Sequence, residues 1–207
     1  MKTIIGWIIF LLLVVMLPGG WAQQPAEGAL AQAQQLNQLG ERGRAVGASV
    51  RPKDALAQAE QLNQQLIELY QQGRYTEAIP LAEKALAIRE KVLGPEHLDV
   101  AASLNNLAGL YYSLGAYANA EPLFQRALAI REKALGPEHP DVATSLNNQA
   151  EMYRALGAYA KAEPLYQRAM AIREKALGPE HPDVAGSLNN LALLYADTGV
   201  YAKAEPL

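Results

Sequence analysis

An all-α solenoid of antiparallel helix pairs is the fold class this chain predicts, and three observations predict it. Pro-Glu-His occurs at Pro95–His97, Pro137–His139 and Pro179–His181, each 42 residues after the last. The blocks around these anchors repeat as well: 33 of 42 positions are identical between residues 101–142 and 143–184. Each block carries two apolar stripes of helical period, separated by a glycine. A fixed period of this length marks an array whose units bury their apolar faces only against their neighbours.

The first 22 residues read as a separate object. Lys2 gives a positive start and Ile4 to Leu17 is almost wholly apolar. Pro18-Gly19-Gly20 then breaks the helix, and Gly20 and Ala22 put small residues at the −3 and −1 positions of a cleavage site. This is the pattern of a secretory signal peptide cut before Gln23, which predicts a periplasmic or secreted protein with no membrane attachment after cleavage. The apolar stretch is about 14 residues, against the roughly 20 that span a bilayer, which argues against an uncleaved anchor.

Residues 23–58 are rich in Gln and Ala and contain a duplication of their own. Ala29 to Gln38 returns nearly unchanged as Ala55 to Gln64. Gly40 to Asp54 mixes Gly, Arg and Pro with polar residues and reads as a linker. The expectation is a flexible lead with a degenerate helix, followed by an array from residue 59.

In the array, Leu104, Leu107, Ala108, Tyr111 and Leu114 follow the i, i+3, i+4, i+7 spacing of one helical face. Gly115 stands where a helix C-terminus favours a left-handed residue. A second stripe runs through Tyr117, Ala120, Phe124, Ala127, Leu128 and Ile130 and ends at Gly136-Pro137. The next helix is expected near His139-Pro140-Asp141, with Pro in the first turn and Asp at the positive end of the helix dipole. Small residues at Ala108, Ala120 and Ala127 let paired helices approach closely.

These same positions carry a resemblance. Leu107-Ala108, Tyr111, Gly115, Tyr117, Ala120, Phe124 and Ala127 resemble the tetratricopeptide repeat. Ser103 to Ala108, with Leu135-Gly136-Pro137-Glu138-His139-Pro140-Asp141-Val142, is similar to its 42-residue kinesin-light-chain variety. The match recurs over 143–184 and from Ala185 onward; a weaker copy covers 59–100, with Gly73, Tyr75, Ala78 and Ala85 in register. The resemblance implies a right-handed superhelix whose first helices line a concave groove for protein or peptide segments.

Departures from the pattern matter. Gln65 and Gln149 occupy the slot of Leu107 and Leu191. A buried amide costs about 1–3 kcal/mol unless its hydrogen bonds are met, so each is expected to be a soft spot or to sit at a solvated edge. The last copy reaches Leu207, a few residues into its second helix, and an uncapped solenoid end exposes an apolar face. A longer natural protein, or self-association through that end, is the corresponding expectation.

Chemistry is hard to place on this chain. It has no Cys, which removes disulfides, thiolate ligands and a cysteine nucleophile. His97, His139 and His181 are one repeat apart, and helices packed about 8–10 Å from each other do not gather nitrogens within about 2 Å of one zinc. Glu96, Glu138 and Glu180 adjoin them, but an exposed loop in three copies lacks the burial that tunes a catalytic pKa. No Gly-rich phosphate loop or Gly-x-Ser-x-Gly elbow is present. The net charge of −3 provides no basic field for nucleic acid. The Arg-Glu-Lys runs at 89–91, 131–133 and 173–175 read as the solvated face of the second helix. The expectation is a non-enzymatic chain without cofactor or metal.

One constellation remains. Asn63, Asn105, Asn147 and Asn189 share one slot, and Asn106, Asn148 and Asn190 share the next, with Gln64 in the first copy. At 100° per residue both slots fall roughly 130° from the centre of the apolar stripe, on opposite flanks. The resemblance directs the Asn105 slot into the groove. An amide offers both a donor and an acceptor, so such a row can hold an extended backbone or, alternatively, staple neighbouring helices. Each net bond adds about 1 kcal/mol, which implies micromolar-class affinity. Specificity would come from groove slots that differ between repeats: Gly109 against Glu151, and Tyr112 against Arg154.

Three functional readings follow. The first is an exported peptide-binding module with Asn63, Asn105, Asn147, Asn189, Tyr112, Glu151 and Arg154 in its groove. A second, from family analogy alone, is the sensor part of a larger protein with a caspase-like (CHAT) protease domain after the repeats. A third is a recently duplicated structural array.

Overall fold

The computed structural model describes residues 51–205, and all of these lie within a single compact unit. They form eight helices: α1 (Pro52–Gln71), α2 (Tyr75–Leu93), α3 (Leu98–Ser113), α4 (Tyr117–Leu135), α5 (Pro140–Ala155), α6 (Tyr159–Leu177), α7 (Pro182–Asp197) and α8 (Tyr201–Ala204). Each helix packs on its repeat partner and on the helix that follows it, giving the all-α solenoid of stacked pairs. The apolar leader, the first glutamine-rich copy and most of the lead lie outside the described residues. None of the described helices is long and apolar enough to cross a membrane.

Helix α1 starts at Pro52, seven residues before the expected edge of the array at 59. Proline at its first position is already in helical φ, and Arg51 pairs with Asp54 one turn on at 2.8 Å. The segment that reads as linker by composition thus ends at the helix start.

The turns follow from glycine. Between α3 and α4, Gly115 has φ +70°, and the Gly115 and Ala116 amides donate to the Tyr112 and Tyr111 carbonyls, closing the helix end. Between repeats the geometry differs. Gly136 adopts φ 87°, ψ 158°, a region essentially closed to residues with a Cβ, and Gly94 and Gly178 adopt the same conformation. The histidines complete this corner. Each is the N-cap of the next helix, and its ring Nδ1 accepts the backbone amide of Asp99, Asp141 or Asp183 at 3.1–3.2 Å.

The core repeats with the sequence. Val100, Ala101, Leu104, Ala127 and Ile130 form one buried cluster, and Val142, Ala143, Leu146, Ala169 and Ile172 form the next, each residue 42 positions on. Ala108, Ala120 and Ala127 are fully buried, as close helix approach requires. Two details differ from the single-stripe reading. Leu114 is 42 % exposed, because α3 ends at Ser113 and Leu114 lies past its last turn. Leu110 is fully buried instead, because a first helix packs against neighbouring pairs as well as its own partner.

The Arg-Glu-Lys runs also need correction. Arg89, Arg131 and Arg173 are half-buried and donate to the buried hydroxyls of Ser103, Ser145 and Ser187 at 2.6–2.8 Å. Burial lowers the Arg131 pKa, with Asp141 opposing it. The lysines are at the surface, as is Glu174 in the last run, and Lys133 and Lys175 reach back to Glu96 and Glu138 in the preceding corner. A three-residue charged run therefore ties a second helix to both neighbouring repeats.

Candidate functional site

The first helices α1, α3 and α5 bring their polar flanks together along one groove. A pocket of about 380 Å³ opens there, lined by Leu66, Ile67 and Tyr70 of α1, by Asn105, Asn106, Gly109 and Tyr112 of α3, by Phe124 of α4 and by Asn148 and Glu151 of α5. It contains three of the residues expected from sequence (Asn105, Tyr112 and Glu151).

The asparagines are paired across repeats. Asn106 Nδ2 donates to Asn63 Oδ1 at 3.0 Å, Asn148 to Asn105 at 3.0 Å and Asn190 to Asn147 at 2.8 Å. Both flanking slots therefore meet, one from each of two adjacent helices, because the superhelical stagger brings residue i against i+43. Each bond uses one oxygen of the first slot and one N–H of the second. The Nδ2 amides of Asn63, Asn105 and Asn147, and the Oδ1 atoms of Asn106, Asn148 and Asn190, have no bond among the described residues. Stapling and binding are thus compatible, since each pair retains a donor and an acceptor. Asn189 is exposed, and it and Asn147 lie further along the array, outside the pocket.

Beyond Asn148 the groove becomes ionic. Arg154 donates to Glu151 at 2.9 Å and to Asp197 of the next repeat at 2.8 Å. Tyr166 donates to the other Glu151 oxygen at 2.8 Å. The Glu151 hydrogen bond, then that of Asp197, raises the Arg154 pKa against the opposing effect of burial. Burial and the Glu151 carboxylate push the Tyr166 hydroxyl upward, and burial, then Glu151, does the same to Tyr112. Arg154 Nε is buried without a partner among the described residues.

Leu66, Ile67, Tyr70 and Phe124 were not expected in the site. The signal for two of them was present in the period: Ile67 holds the slot of Gly109, and Tyr70 the slot of Tyr112. Among the described residues no group of three or more His, Cys, Asp or Glu side chains is placed to hold a metal ion.

Comparison with known proteins bears on this geometry. The family model described as tetratricopeptide repeat matches residues 65–133, 99–175 and 141–207 in overlapping windows. No curated protein matches the chain by sequence. Among solved structures, BtubC (BKLC) from P. vanneervenii is similar with a TM-score of 0.68 and 25 % identity, over 88 % of this chain and 72 % of that one. A Podosopora anserina kinesin-light-chain-type protein of nearly identical TPR-like repeats gives 0.64 and 32 % identity, over 75 % and 72 %. The apo form of RapI gives 0.62 at 22 % identity, over 73 % of this chain and 40 % of its own, a likeness of fold alone.

Proposed function

The chain belongs to the tetratricopeptide repeat family, and from that premise we propose that it is an exported protein-interaction scaffold whose groove holds an extended peptide segment. One observation carries the reading: a row of half-used asparagine pairs on the first helices, each keeping one amide donor and one carbonyl acceptor for a ligand. A peptide backbone has the complementary donor and acceptor at every residue. Asn63, Asn105, Asn147 and Asn189 hold that backbone, while Tyr112, Glu151 and Arg154 select among side chains. At about 1 kcal/mol for each net hydrogen bond, affinity is micromolar in class.

Export rests on Lys2, the apolar run from Ile4 to Leu17 and the small residues at Gly20 and Ala22. The test has two arms. Asn105→Ala with Asn147→Ala lowers affinity for peptides captured by the full chain about tenfold or more while the circular dichroism stays unchanged; unchanged affinity sinks the groove role. Intact mass of the native protein decides the rest. A chain starting at Gln23 in the extracytoplasmic fraction supports export, and one retaining residues 1–22 in the cytosol overturns it. A much larger mass containing a protease domain moves the activity to the rival reading, in which the array recruits for an attached enzyme.

A further inference from the structure

The pocket beside the asparagines contains a glycine that the fold does not explain. Gly109 lies inside α3, away from either cap, with ordinary negative φ. A Cβ built there meets no atom within 4 Å, so no close helix approach demands a glycine. Glycine in a helix interior is less favourable than alanine by roughly 0.5–1 kcal/mol. What the missing side chain does leave is space. The same slot is filled by Ile67 in α1 and Glu151 in α5, and both of those border the gap it opens.

One part of the wall of that gap is apolar. Leu66, Ile67, Tyr70, Tyr112 and Phe124 line it, and Ile67 and Tyr70 are 43 % and 44 % exposed. Tyr112 is held in place by its neighbour Tyr117, ring centroids 5.9 Å apart. The rim toward α5 is acidic. Glu151 lines the pocket, and it and Asp197 of α7 share the single guanidinium of Arg154, which leaves that cluster one negative charge in excess.

We propose that Gly109 opens a side-chain pocket for a bulky apolar residue of a peptide that carries a basic residue next to it, on the side of Glu151. The proposal rests on the peptide-groove reading above and names the class of segment that groove takes. The apolar side chain enters over Gly109 between Tyr70 and Tyr112. The flanking Lys or Arg meets the excess charge of the Glu151–Arg154–Asp197 cluster, so acidic segments are disfavoured.

A displayed library of random decapeptides, selected on the full chain, tests this. Recovered binders are expected to combine one Leu, Ile, Phe, Tyr or Trp with an adjacent Lys or Arg. Their affinity should fall about tenfold or more in Gly109→Leu, which fills the pocket, and much less in Gly109→Ala, which leaves most of it open. Both variants should melt at or above the parent temperature, since each improves helix propensity. A Gly109→Leu chain that melts lower is replaced by Tyr70→Ala with Ile67→Ala, which removes the walls and should give the same loss. Binders rich in Asp and Glu, or no binders above background, overturn the proposal. Binders that weaken with Asn105→Ala and Asn147→Ala but ignore Gly109→Leu overturn the pocket and leave the groove standing. Binders indifferent to all of these variants sink both.

Discussion

In the slot where Leu107 and Leu191 are buried, Gln149 is buried too, and its Oε1 has no hydrogen-bond partner among the described residues. Gln65, in the same slot of α1, is exposed instead. The two outcomes expected for this departure therefore both occur, and position in the stack decides between them. Gln65 is on the first described helix, where its amide reaches solvent; Gln149 is buried on α5, which has a repeat on either side. An orphan buried acceptor costs about 1–3 kcal/mol. Replacing Gln149 by Leu should therefore stabilise the chain by about 1–2 kcal/mol and raise the melting temperature by a few degrees. Thermal and urea denaturation check this. A destabilised Gln149→Leu protein would show that the oxygen has a partner in solution.

At the scale of the element, each repeat corner combines a glycine, a proline and a capping histidine. Gly136 makes a turn closed to other residues, and Pro140 starts α5 where its missing N–H costs nothing. His139 satisfies one of the unpaired amides of the first turn. A ring nitrogen that accepts this bond carries no proton, so the residue that invites a metal reading instead has a structural task. His139→Ala should cost about 0.5–2 kcal/mol, while His139→Asn, a better N-cap, should restore it. Amide exchange in the first turn of α5 is the measurement, and equal exchange in both variants would remove the capping role. The Arg131-Glu132-Lys133 run teaches the same lesson from the other side. Its composition is that of a solvated face, yet Arg131 bonds the buried Ser145 and Glu132 pairs with Arg168.

Across the whole molecule, ion pairs link each repeat to the next. Lys175 pairs with Glu138, and the Glu163 carboxylate accepts from Tyr195 and pairs with Lys203. The Lys175 hydrogen bond lowers the Glu138 pKa, and the Tyr195 hydroxyl, then Lys203, lowers that of Glu163. A carboxylate held low in the folded state contributes stability above its unfolded pKa and loses it as pH falls through the folded value. The melting temperature should therefore stay level between about pH 7 and 5 and drop below about pH 4. Glu138→Gln with Glu163→Gln should lower it at neutral pH and reduce the acid drop. An undiminished drop in that double variant would assign the acid sensitivity to other carboxylates. Glu138 is exposed and Glu163 half-exposed, so the effect should also weaken in salt.

The array itself was legible in the chain because a 42-residue period is a property of order along the sequence. It specified helix pairs, their corners, the core slots at Leu104, Ala108, Ala120 and Ala127, and the asparagine row. Those follow from local rules of periodicity, capping and turn stereochemistry, each acting within a few residues. What only the tertiary structure decided is which groups meet across the period. The stagger of one repeat on the next pairs Asn148 with Asn105, spends one half of each amide and leaves the other. It brings Arg154 to Asp197, encloses Gln149 and gathers Tyr70, Gly109 and Tyr112 around one pocket. Sequence order carries the period; the angle and shift between neighbouring units, which come from packing, determine what the period places side by side.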